Sequence, residues 1–219
     1  LPPTFHGLLF VQATLMSGSI PDVFSYAEQL LLTLMPKLSG TVPTTLPNLD
    51  TLQLGLSPLV SGTLPPQLGQ LTDVNTAFTR VSGTLSPSLG GTVSLSNVVM
   101  SSAKLSGTIP TSLAGYRYEG SVLGNLDLSD NALSGTLPCE LPIALTQLSN
   151  DFNLGHNRLS GTLPTEMALV AALPPFWSSF GELSLVSNRF SGSIPTQLGL
   201  LQPASCSFTS RTSNLWPDL

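Results

Sequence analysis

Three residues whose types match those of a hydrolytic triad occupy the same position relative to a recurring glycine. Asp130, His156 and Ser187 each lie five residues before the glycine of a Ser-Gly dipeptide. In that order, an acid, a base and a nucleophile could transfer an acyl group if the fold brought them within hydrogen-bond reach. The elements that position them decide whether this chemistry is available.

The glycine belongs to a six-residue phrase that recurs along the chain. LSGTLP occupies residues 133–138 and again 159–164, and near copies begin at Met16, Leu38, Val60, Val81, Leu105 and Phe190. Successive glycines of this phrase are 21 to 31 residues apart. Repeats of that length indicate a solenoid, because a unit so short buries its apolar side only by stacking on its neighbours.

The unit LDLSDNALSG shows how one repeat is built. Leu126, Leu128 and Leu133 have the spacing of inward residues of a short strand, while Asp127 points the other way. Asn131 ends the strand, since asparagine is disfavoured within strands. The Thr-Leu-Pro after the glycine predicts a second short extended piece before the chain turns back.

The repeated phrase L-x-L-x-x-N-x-L-S-G-x-I-P-x-x-L-G-x-L resembles the plant-type leucine-rich repeat. SNRFSGSIPTQLGLL, residues 187–201, carries it most completely. The resemblance implies an α/β-type right-handed solenoid, with a parallel β-sheet on the concave face, a short second strand and 3₁₀ or irregular turns on the convex side. The sequence is also similar to leucine-rich repeat surface antigens of trypanosomatids.

The resemblance divides the chain into a repeat region and a terminal segment. Residues 1–201 are expected to hold about eight repeats, the first incomplete at its N-terminus because LPPTFHGL is similar to the repeat interior LPPQLGQL. Residues 202–219 are expected to form a partial repeat or cap, with a ninth strand at Cys206.

The family fills one column with asparagines that satisfy backbone groups, and this chain fills it only in part. Asn131, Asn157 and Asn188 occupy the column in the later repeats. The earlier repeats place other residues there, namely Thr14, Pro36, Pro58, Thr79 and Ala103. An unpaired buried backbone group costs about 1 to 3 kcal/mol, so hydroxyls or water are expected to substitute. The N-terminal half is predicted to be less regular.

The composition argues against several partners and cofactors. Charged residues make up 9% of the chain and the net charge is −5, so no basic stripe and no nucleic acid partner are expected. Apolar runs do not approach the roughly 18 residues of a membrane helix, so no membrane span is expected. Clustered metal ligands and phosphate-binding loops are absent from the sequence, so neither a metal nor a cofactor is expected.

The resemblance also favours binding over catalysis at the candidate triad. Leucine-rich repeats generally bind, and Ser187 has neither a nucleophile elbow nor an anion-binding glycine loop. The chain is therefore predicted not to be an enzyme. A polar patch on the concave face would instead bind a ligand, with an ordinary hydrated surface as the alternative. The patch comprises Asp127, Asp130, Asn153, His156, Ser184 and Ser187.

The Ser-Gly-Thr triplet places hydroxyl residues at two constant positions. In an extended segment, residues i and i+2 share a face, so stacking would build parallel rows of hydroxyls. Such rows would bind ice or a polysaccharide, contact other copies of the chain, or carry O-linked sugar. Threonine also suits any strand, which is the alternative explanation. The threonine row comprises Thr41, Thr63, Thr84, Thr108, Thr136 and Thr162.

Two insertions interrupt the repeat and carry aromatic residues. Their side chains are predicted either to fold back on the solenoid or to anchor a partner. These residues are Tyr116, Tyr118, Phe176, Trp177 and Phe180.

The two cysteines, Cys139 and Cys206, lie in different columns, two to three coils apart. Coils stack at roughly 5 Å, and a disulfide needs Cα atoms within about 7 Å. Two separate buried thiols are favoured over a disulfide between them, and an intermolecular bond is a third alternative.

Three functions remain open at this point. The resemblance implies an extracellular or cell-surface module, secreted, that recognises a protein, peptide or glycan ligand. The low charge and unpaired strand edges favour a structural protein instead, a homo-oligomer or filament in a fibre or cell coat, either bare or a glycoprotein with O-linked sugar. Ice binding is the third alternative and depends on the rows of Ser and Thr.

Overall fold

The described part of the chain is a stack of coils, each of which contributes strands to two parallel sheets. A coil here means one strand of the first sheet together with the second-sheet strand that follows it. The computed structural model describes residues 7–12, 17–20, 26–66, 71–89, 95–114, 124–141, 151–167, 183–195 and 206–207.

Strands of the first sheet carry odd numbers, and strands of the second sheet carry even numbers. The first sheet comprises β1 (Leu8–Gln12), β3 (Gln29–Thr33), β5 (Thr51–Gln53), β7 (Asp73–Asn75), β9 (Asn97–Val99), β11 (Asn125–Asp127), β13 (Phe152–Asn153), β15 (Leu183–Ser184) and β17 (Cys206–Ser207). The second sheet comprises β2 (Gly18–Ser19), β4 (Leu38–Thr41), β6 (Leu59–Thr63), β8 (Arg80–Thr84), β10 (Lys104–Gly107), β12 (Ala132–Gly135), β14 (Arg158–Gly161) and β16 (Arg189–Phe190). The solenoid expected from the repeat is confirmed, as is a ninth strand at Cys206.

The two sheets differ in register. In the first sheet equivalent residues pair directly, as Leu30 does with Leu52. In the second sheet Gly40 pairs with Val60, two residues before its equivalent Gly62, and every described pairing of that sheet has the same offset. Columns of equivalent residues therefore run straight across the first sheet and obliquely across the second.

Between the sheets, buried side chains stack in continuous columns. Buried residues that pair in register across the first sheet form one column: Leu30, Leu52, Val74, Val98, Leu126, Phe152 and Leu183. The residue that precedes each Ser-Gly forms another: Leu38, Val60, Val81, Leu105, Leu133, Leu159 and Phe190. Burial of these side chains explains why leucine recurs at fixed positions, since each coil contributes too little apolar area to fold without its neighbours.

The repeated glycine is required by both its backbone conformation and its neighbours. Gly107 has φ 81°, a region that disfavours residues with a Cβ. A Cβ placed there would lie 2.8 Å from the Cγ2 atom of Thr84 in the preceding coil. The threonine methyl therefore occupies the space that the absent side chain leaves, and this contact links the Gly and Thr positions of the phrase.

Asparagines join the later coils as the resemblance implied. The Asn157 Oδ1 atom accepts a hydrogen bond from Leu133 N at 3.0 Å, and its Nδ2 atom donates to Leu128 O at 2.9 Å, both in the preceding coil. The same Nδ2 atom also reaches two carbonyls of its own coil. Asn131 and Asn188 repeat this arrangement, so one side chain satisfies backbone groups on two coils.

Earlier coils fill the asparagine column differently from the expectation. Ser57, not Pro58, occupies it, because Leu56 has the left-handed conformation that precedes each asparagine in the later coils. Met35 likewise replaces Pro36. Both coils carry one additional residue before the Ser-Gly phrase. Counting back from the glycine therefore reached Pro36 and Pro58, one residue beyond the true column positions. The Ser57 hydroxyl donates to Leu32 O at 3.0 Å and accepts from Met35 N at 3.3 Å, so a hydroxyl does substitute for an amide.

The described residues that connect the two sheets are mainly irregular. They include 3₁₀ helices at Thr111–Ala114 and Thr165–Met167. Within the described ranges, no helix has the length and apolar composition that crossing a bilayer requires.

Candidate functional site

The first sheet presents two columns of side chains to solvent beside each buried strand centre. The strands of three residues show this most clearly, with a half-buried residue on each side of a buried one. The candidate residues Asp127, Asn153 and Ser184 belong to one of these columns and pair in direct register. The sheet thus brings them to adjacent coils, as the repeat predicted.

Two of these three side chains are engaged with their own backbone. The Asp127 Oδ1 atom accepts from Ser129 N at 3.1 Å and from the Ser129 hydroxyl at 2.6 Å. The Asn153 Oδ1 atom accepts from Gly155 N at 2.9 Å. These contacts cap the end of each strand and leave the other carboxylate or amide atom for a ligand. Ser184 differs, because it is only 3% exposed and its hydroxyl does not reach solvent.

Asp130, His156 and Ser187 lie at the C-terminal rim of the first sheet, on three adjacent coils. The backbone connects them, since Asp130 N donates to Gly155 O and His156 N donates to Val186 O. Asp130 and His156 are exposed and Ser187 is half-buried. In the described part of the chain, no hydrogen bond or ion pair joins the three side chains. The column exists as predicted, but it has no triad geometry.

These three residues continue a longer column, which we call the rim. All seven members have left-handed backbone conformations, with φ between 52° and 60°. The backbone N–H of each of the first six rim members donates to the carbonyl oxygen of the residue that precedes the next rim member, at 2.8 to 3.0 Å. The rim comprises Leu34, Leu56, Phe78, Ser102, Asp130, His156 and Ser187.

The N-terminal part of the rim is apolar and exposed. Leu34, Leu56 and Phe78 are 39%, 49% and 54% exposed on three adjacent coils. A left-handed conformation costs a residue with a Cβ roughly 1 to 2 kcal/mol, yet about half of the surface of each of these residues stays exposed. The pattern suits contact with a partner. Sequence reasoning missed it because the additional residue before the Ser-Gly phrase hid the equivalence of Leu34 and Leu56 with Asp130.

A polar cluster on the first sheet joins β5, β7 and β9. The Asp73 Oδ1 atom accepts from the Gln53 Nε2 atom at 2.8 Å and from the Asn97 Nδ2 atom at 3.1 Å. Burial raises the pKa of the Asp73 carboxyl, although the hydrogen bonds from Asn97 and Gln53 oppose part of that rise. The Asn97 Oδ1 atom is buried and has no partner in the described part of the chain. This site therefore retains an unused acceptor.

The second sheet separates the two hydroxyl rows predicted from the triplet. Serine hydroxyls are used within the fold: Ser61 donates to Gly40 O at 3.2 Å and Ser82 to Gly62 O at 3.1 Å in the preceding coil. Threonines are exposed in six coils, at Thr41, Thr63, Thr84, Thr108, Thr136 and Thr162. The register offset makes this row oblique, with equivalent residues about 8 Å apart rather than one strand spacing.

Cys139 is exposed and free, so the expectation that it is buried is wrong. Its hydrogen bond with Glu140 raises the pKa of the thiol. Cys206 contributes backbone to β17, and its side chain lies outside the described residues. The aromatic candidates also lie outside the described residues: Tyr116, Tyr118, Phe176, Trp177 and Phe180.

Comparison with known proteins identifies the repeat. The family model for the Leucine Rich Repeat matches residues 123–142. The leucine-rich repeat ectodomain of the plant membrane receptor kinase GASSHO1/SCHENGEN3 from Arabidopsis thaliana is 28% identical, with a TM-score of 0.71. This chain is a plant-type leucine-rich repeat protein.

Two further structures place the leucine-rich repeat chain among its neighbours. The Arabidopsis receptor kinase HAESA is 26% identical, with a TM-score of 0.67. A plant ice-binding protein is 22% identical, with a TM-score of 0.53, and the match covers 95% of this chain and 83% of that one, which shows the shared fold alone. No curated protein matches the sequence significantly.

The leucine-rich repeat chain corresponds to only part of the receptor structures. Its match with GASSHO1/SCHENGEN3 covers 93% of this chain and 24% of the receptor chain. The match with HAESA covers 88% of this chain and 33% of that chain. The chain therefore spans about a quarter to a third of these structures.

Proposed function

We propose that this leucine-rich repeat chain is an extracellular, non-catalytic recognition module that binds an extended peptide along its rim. The observation that carries the proposal is the apolar stretch Leu34, Leu56 and Phe78, which is exposed and held in a costly backbone conformation. The rim continues into the polar residues Asp130 and His156. A peptide lying along it would meet apolar contacts at one end and polar contacts at the other.

The two receptor structures support this choice of ligand. GASSHO1/SCHENGEN3 was solved with CASPARIAN STRIP INTEGRITY FACTOR 2, and HAESA with the peptide hormone IDA and the co-receptor SERK1. Asp127 and Asn153 stand beside the rim with one polar atom each left for hydrogen bonds to a peptide backbone. The same side chains would serve a glycan less well, because the apolar rim residues have no role in binding hydroxyl groups.

The test uses a library of random ten-residue peptides selected against the immobilised chain. Selected peptides should carry an apolar residue toward one end, and Phe78→Asn should weaken their binding roughly tenfold or more, since exposed aromatic side chains supply much of the energy at interfaces. Asparagine tolerates the left-handed conformation, so the variant should fold as stably as the original. A matched control is Tyr26→Asn, which removes another exposed aromatic side chain away from the rim. Equal binding by Phe78→Asn and the unmodified chain would refute the proposal.

Ice binding is the second candidate function, and the exposed threonine row favours it. Five of the six threonines pack their methyl against the glycine of the next coil, as Thr84 does on Gly107 and Thr108 on Gly135. The row is therefore held in place and presents uncharged hydroxyl residues at a regular step. Inhibition of ice recrystallisation should be lost in Thr84→Lys with Thr108→Lys, because two charges would interrupt the row. Retained inhibition in that variant, or none in the unmodified chain, would exclude this candidate.

Assembly into a fibre or coat and O-linked glycosylation stay predictions. The exposed threonines supply the acceptor hydroxyls that glycosylation needs. Intact-mass measurement of the secreted protein tests for O-linked glycosylation, and light scattering tests for assembly.

A further inference from the structure

Five of the seven basic residues in the sequence occupy one position of the repeat. The position lies three residues before each hexamer glycine, immediately before the buried residue that precedes Ser-Gly. Leu15, Leu59 and Ala132 fill it in the three remaining repeats. We call the five residues the basic file: Lys37, Arg80, Lys104, Arg158 and Arg189.

All five side chains of the basic file are exposed. Within the described ranges, none of them makes a hydrogen bond or an ion pair with another side chain. Their charges are thus available to a ligand. The net charge of −5 had predicted that no basic stripe exists, and the fold overturns that expectation by collecting scattered cations in one line.

Acidic side chains are placed elsewhere around the coil. Asp73 and Asp127 stand on the first sheet, and Glu28 and Asp50 directly precede its strands. Glu140 follows the hexamer, after the second-sheet strand has ended. Among the described residues the acidic side chain nearest to the file along the chain is Asp130 of the rim, two residues before Ala132, so the file is a positive stripe with gaps at Leu59 and Ala132 on an acidic molecule.

The register offset sets the spacing of the file. Arg189 pairs with Ser160, which lies two residues beyond Arg158 in the preceding coil. One strand spacing across the sheet and two residues along the strand separate consecutive members by about 8 Å. Where Leu59 or Ala132 interrupts the file, the step doubles to about 16 Å.

Serine hydroxyls lie beside most members of the file. Arg80 pairs with Ser61, Lys104 with Ser82, and Arg158 with Ser134. These hydroxyls donate to glycine carbonyls of the preceding coil and keep lone pairs that can accept further hydrogen bonds. Each step of the file therefore offers a cation and a hydrogen-bond acceptor.

We propose that the basic file binds a linear acidic polysaccharide that carries carboxylate or sulfate groups at regular intervals. A repeating anionic polymer meets a repeating row of cations in the same way at every step, and its sugar hydroxyls can donate to the adjacent serines. The file contains no aromatic side chain on which nucleic acid bases would stack. The apolar residues Leu59 and Ala132, which interrupt the file, are two coils or more apart and offer little contact for the side chains of an acidic peptide.

The experiment measures binding of the whole chain to polygalacturonate, dextran sulfate, neutral dextran and duplex DNA at an ionic strength of about 0.15 M. Carboxylated or sulfated polymer should bind, and the preferred one identifies the anionic group. Affinity should fall as salt is raised, because exposed charges are screened. Binding of neutral dextran with equal affinity would overturn the proposal, and so would tighter binding of DNA than of either acidic polysaccharide.

Two double variants separate the file from the overall charge. Arg158→Gln with Arg189→Gln removes two members of the file and should weaken polysaccharide binding roughly tenfold. Arg117→Gln with Arg211→Gln removes the two basic residues that do not occupy this repeat position and should change affinity less than about twofold. Both variants carry the same net charge. Equal losses in the two variants, or no loss in the first, would contradict the proposal.

Filling the gaps provides a test in the opposite direction. Leu59→Lys with Ala132→Lys would place a cation in each of seven consecutive coils and should tighten polysaccharide binding roughly tenfold. Leu59 is exposed and Ala132 half-buried, and both begin second-sheet strands, so stability should change little. Unchanged affinity would show that the row does not bind as a unit and would overturn the proposal. None of these variants alters the rim, so failure here leaves peptide binding unaffected.

Discussion

The N-terminal coils, residues 26–89, and the C-terminal coils, residues 124–195, reach the same backbone conformation with different side chains. Leu34 and His156 have φ of 57° and 55° at equivalent positions. In the C-terminal coils the next residue is an asparagine that joins two coils, whereas in the N-terminal coils it is Met35, Ser57 or Thr79. Stacking of the coils therefore sets this conformation, and the asparagine stabilises it.

The comparison also corrects the expectation that the N-terminal half is less regular. Within the described residues, both halves have the same register in each sheet. What changes is how the backbone is satisfied and what the rim exposes. In the C-terminal coils, a polar rim residue precedes each asparagine. In the N-terminal coils, an apolar rim residue precedes Met35, Ser57 or Thr79.

The largest change in stability is expected when an asparagine that joins two coils is removed. Asn157→Ala removes four hydrogen bonds and leaves Leu133 N without its side-chain acceptor in the buried interior, while Leu128 O keeps only the bond from Asn131 Nδ2. The free energy of unfolding should fall by about 3 kcal/mol, measured by urea denaturation. Asn153→Ala is the control, because it removes only the half-exposed cap on Gly155 N and should cost about 1 kcal/mol. Similar losses in the two variants would show that the asparagine column is not special.

A pair of threonines in the N-terminal coils should respond in opposite directions. Thr76 is fully buried in a column otherwise apolar, and its Oγ1 atom has no partner in the described structure. Thr76→Val should raise the free energy of unfolding by about 1 kcal/mol, since the shape is kept and the unpaired hydroxyl is removed. Thr79→Val should lower it by about 1 kcal/mol, because the Thr79 hydroxyl donates to Thr76 O at 2.7 Å and accepts from Val81 N. A lower melting temperature for Thr76→Val than for the unmodified chain would contradict the view that the Thr76 hydroxyl is buried without a partner.

The smallest expected effect comes from extending the asparagine column toward the N-terminus. Ala103→Asn would place an amide where it can reach Thr76 O in the preceding coil and Met100 O in its own, as Asn131 does one coil later. The free energy of unfolding should rise by roughly 0.5 to 1 kcal/mol. Ala103→Leu, which adds a similar volume without hydrogen bonds, is the control. Equal stability of these two variants would show that volume, and not hydrogen bonding, matters at this position.

Much of the fold follows from the sequence, whereas less of the candidate site does. The hexamer predicted the coils, Leu126 and Leu128 predicted the inward faces, and Asn157 predicted the bonds between coils. Asp130 and His156 were correctly assigned to one column. Ser184 was assigned to a binding surface yet is buried, because alternation along a strand does not reveal what covers its outer face.

The sequence by itself determined the repeat, because burial of apolar side chains between coils admits leucine and glycine only at fixed intervals. Only the tertiary structure decided which positions align across coils. The left-handed residues Leu34 and Leu56 reveal the additional residue that counting from the glycine could not detect. Hydrogen bonding between strands also sets the two-residue offset of the second sheet, and this offset, which no single repeat encodes, fixes the spacing of the threonine row and of the basic file.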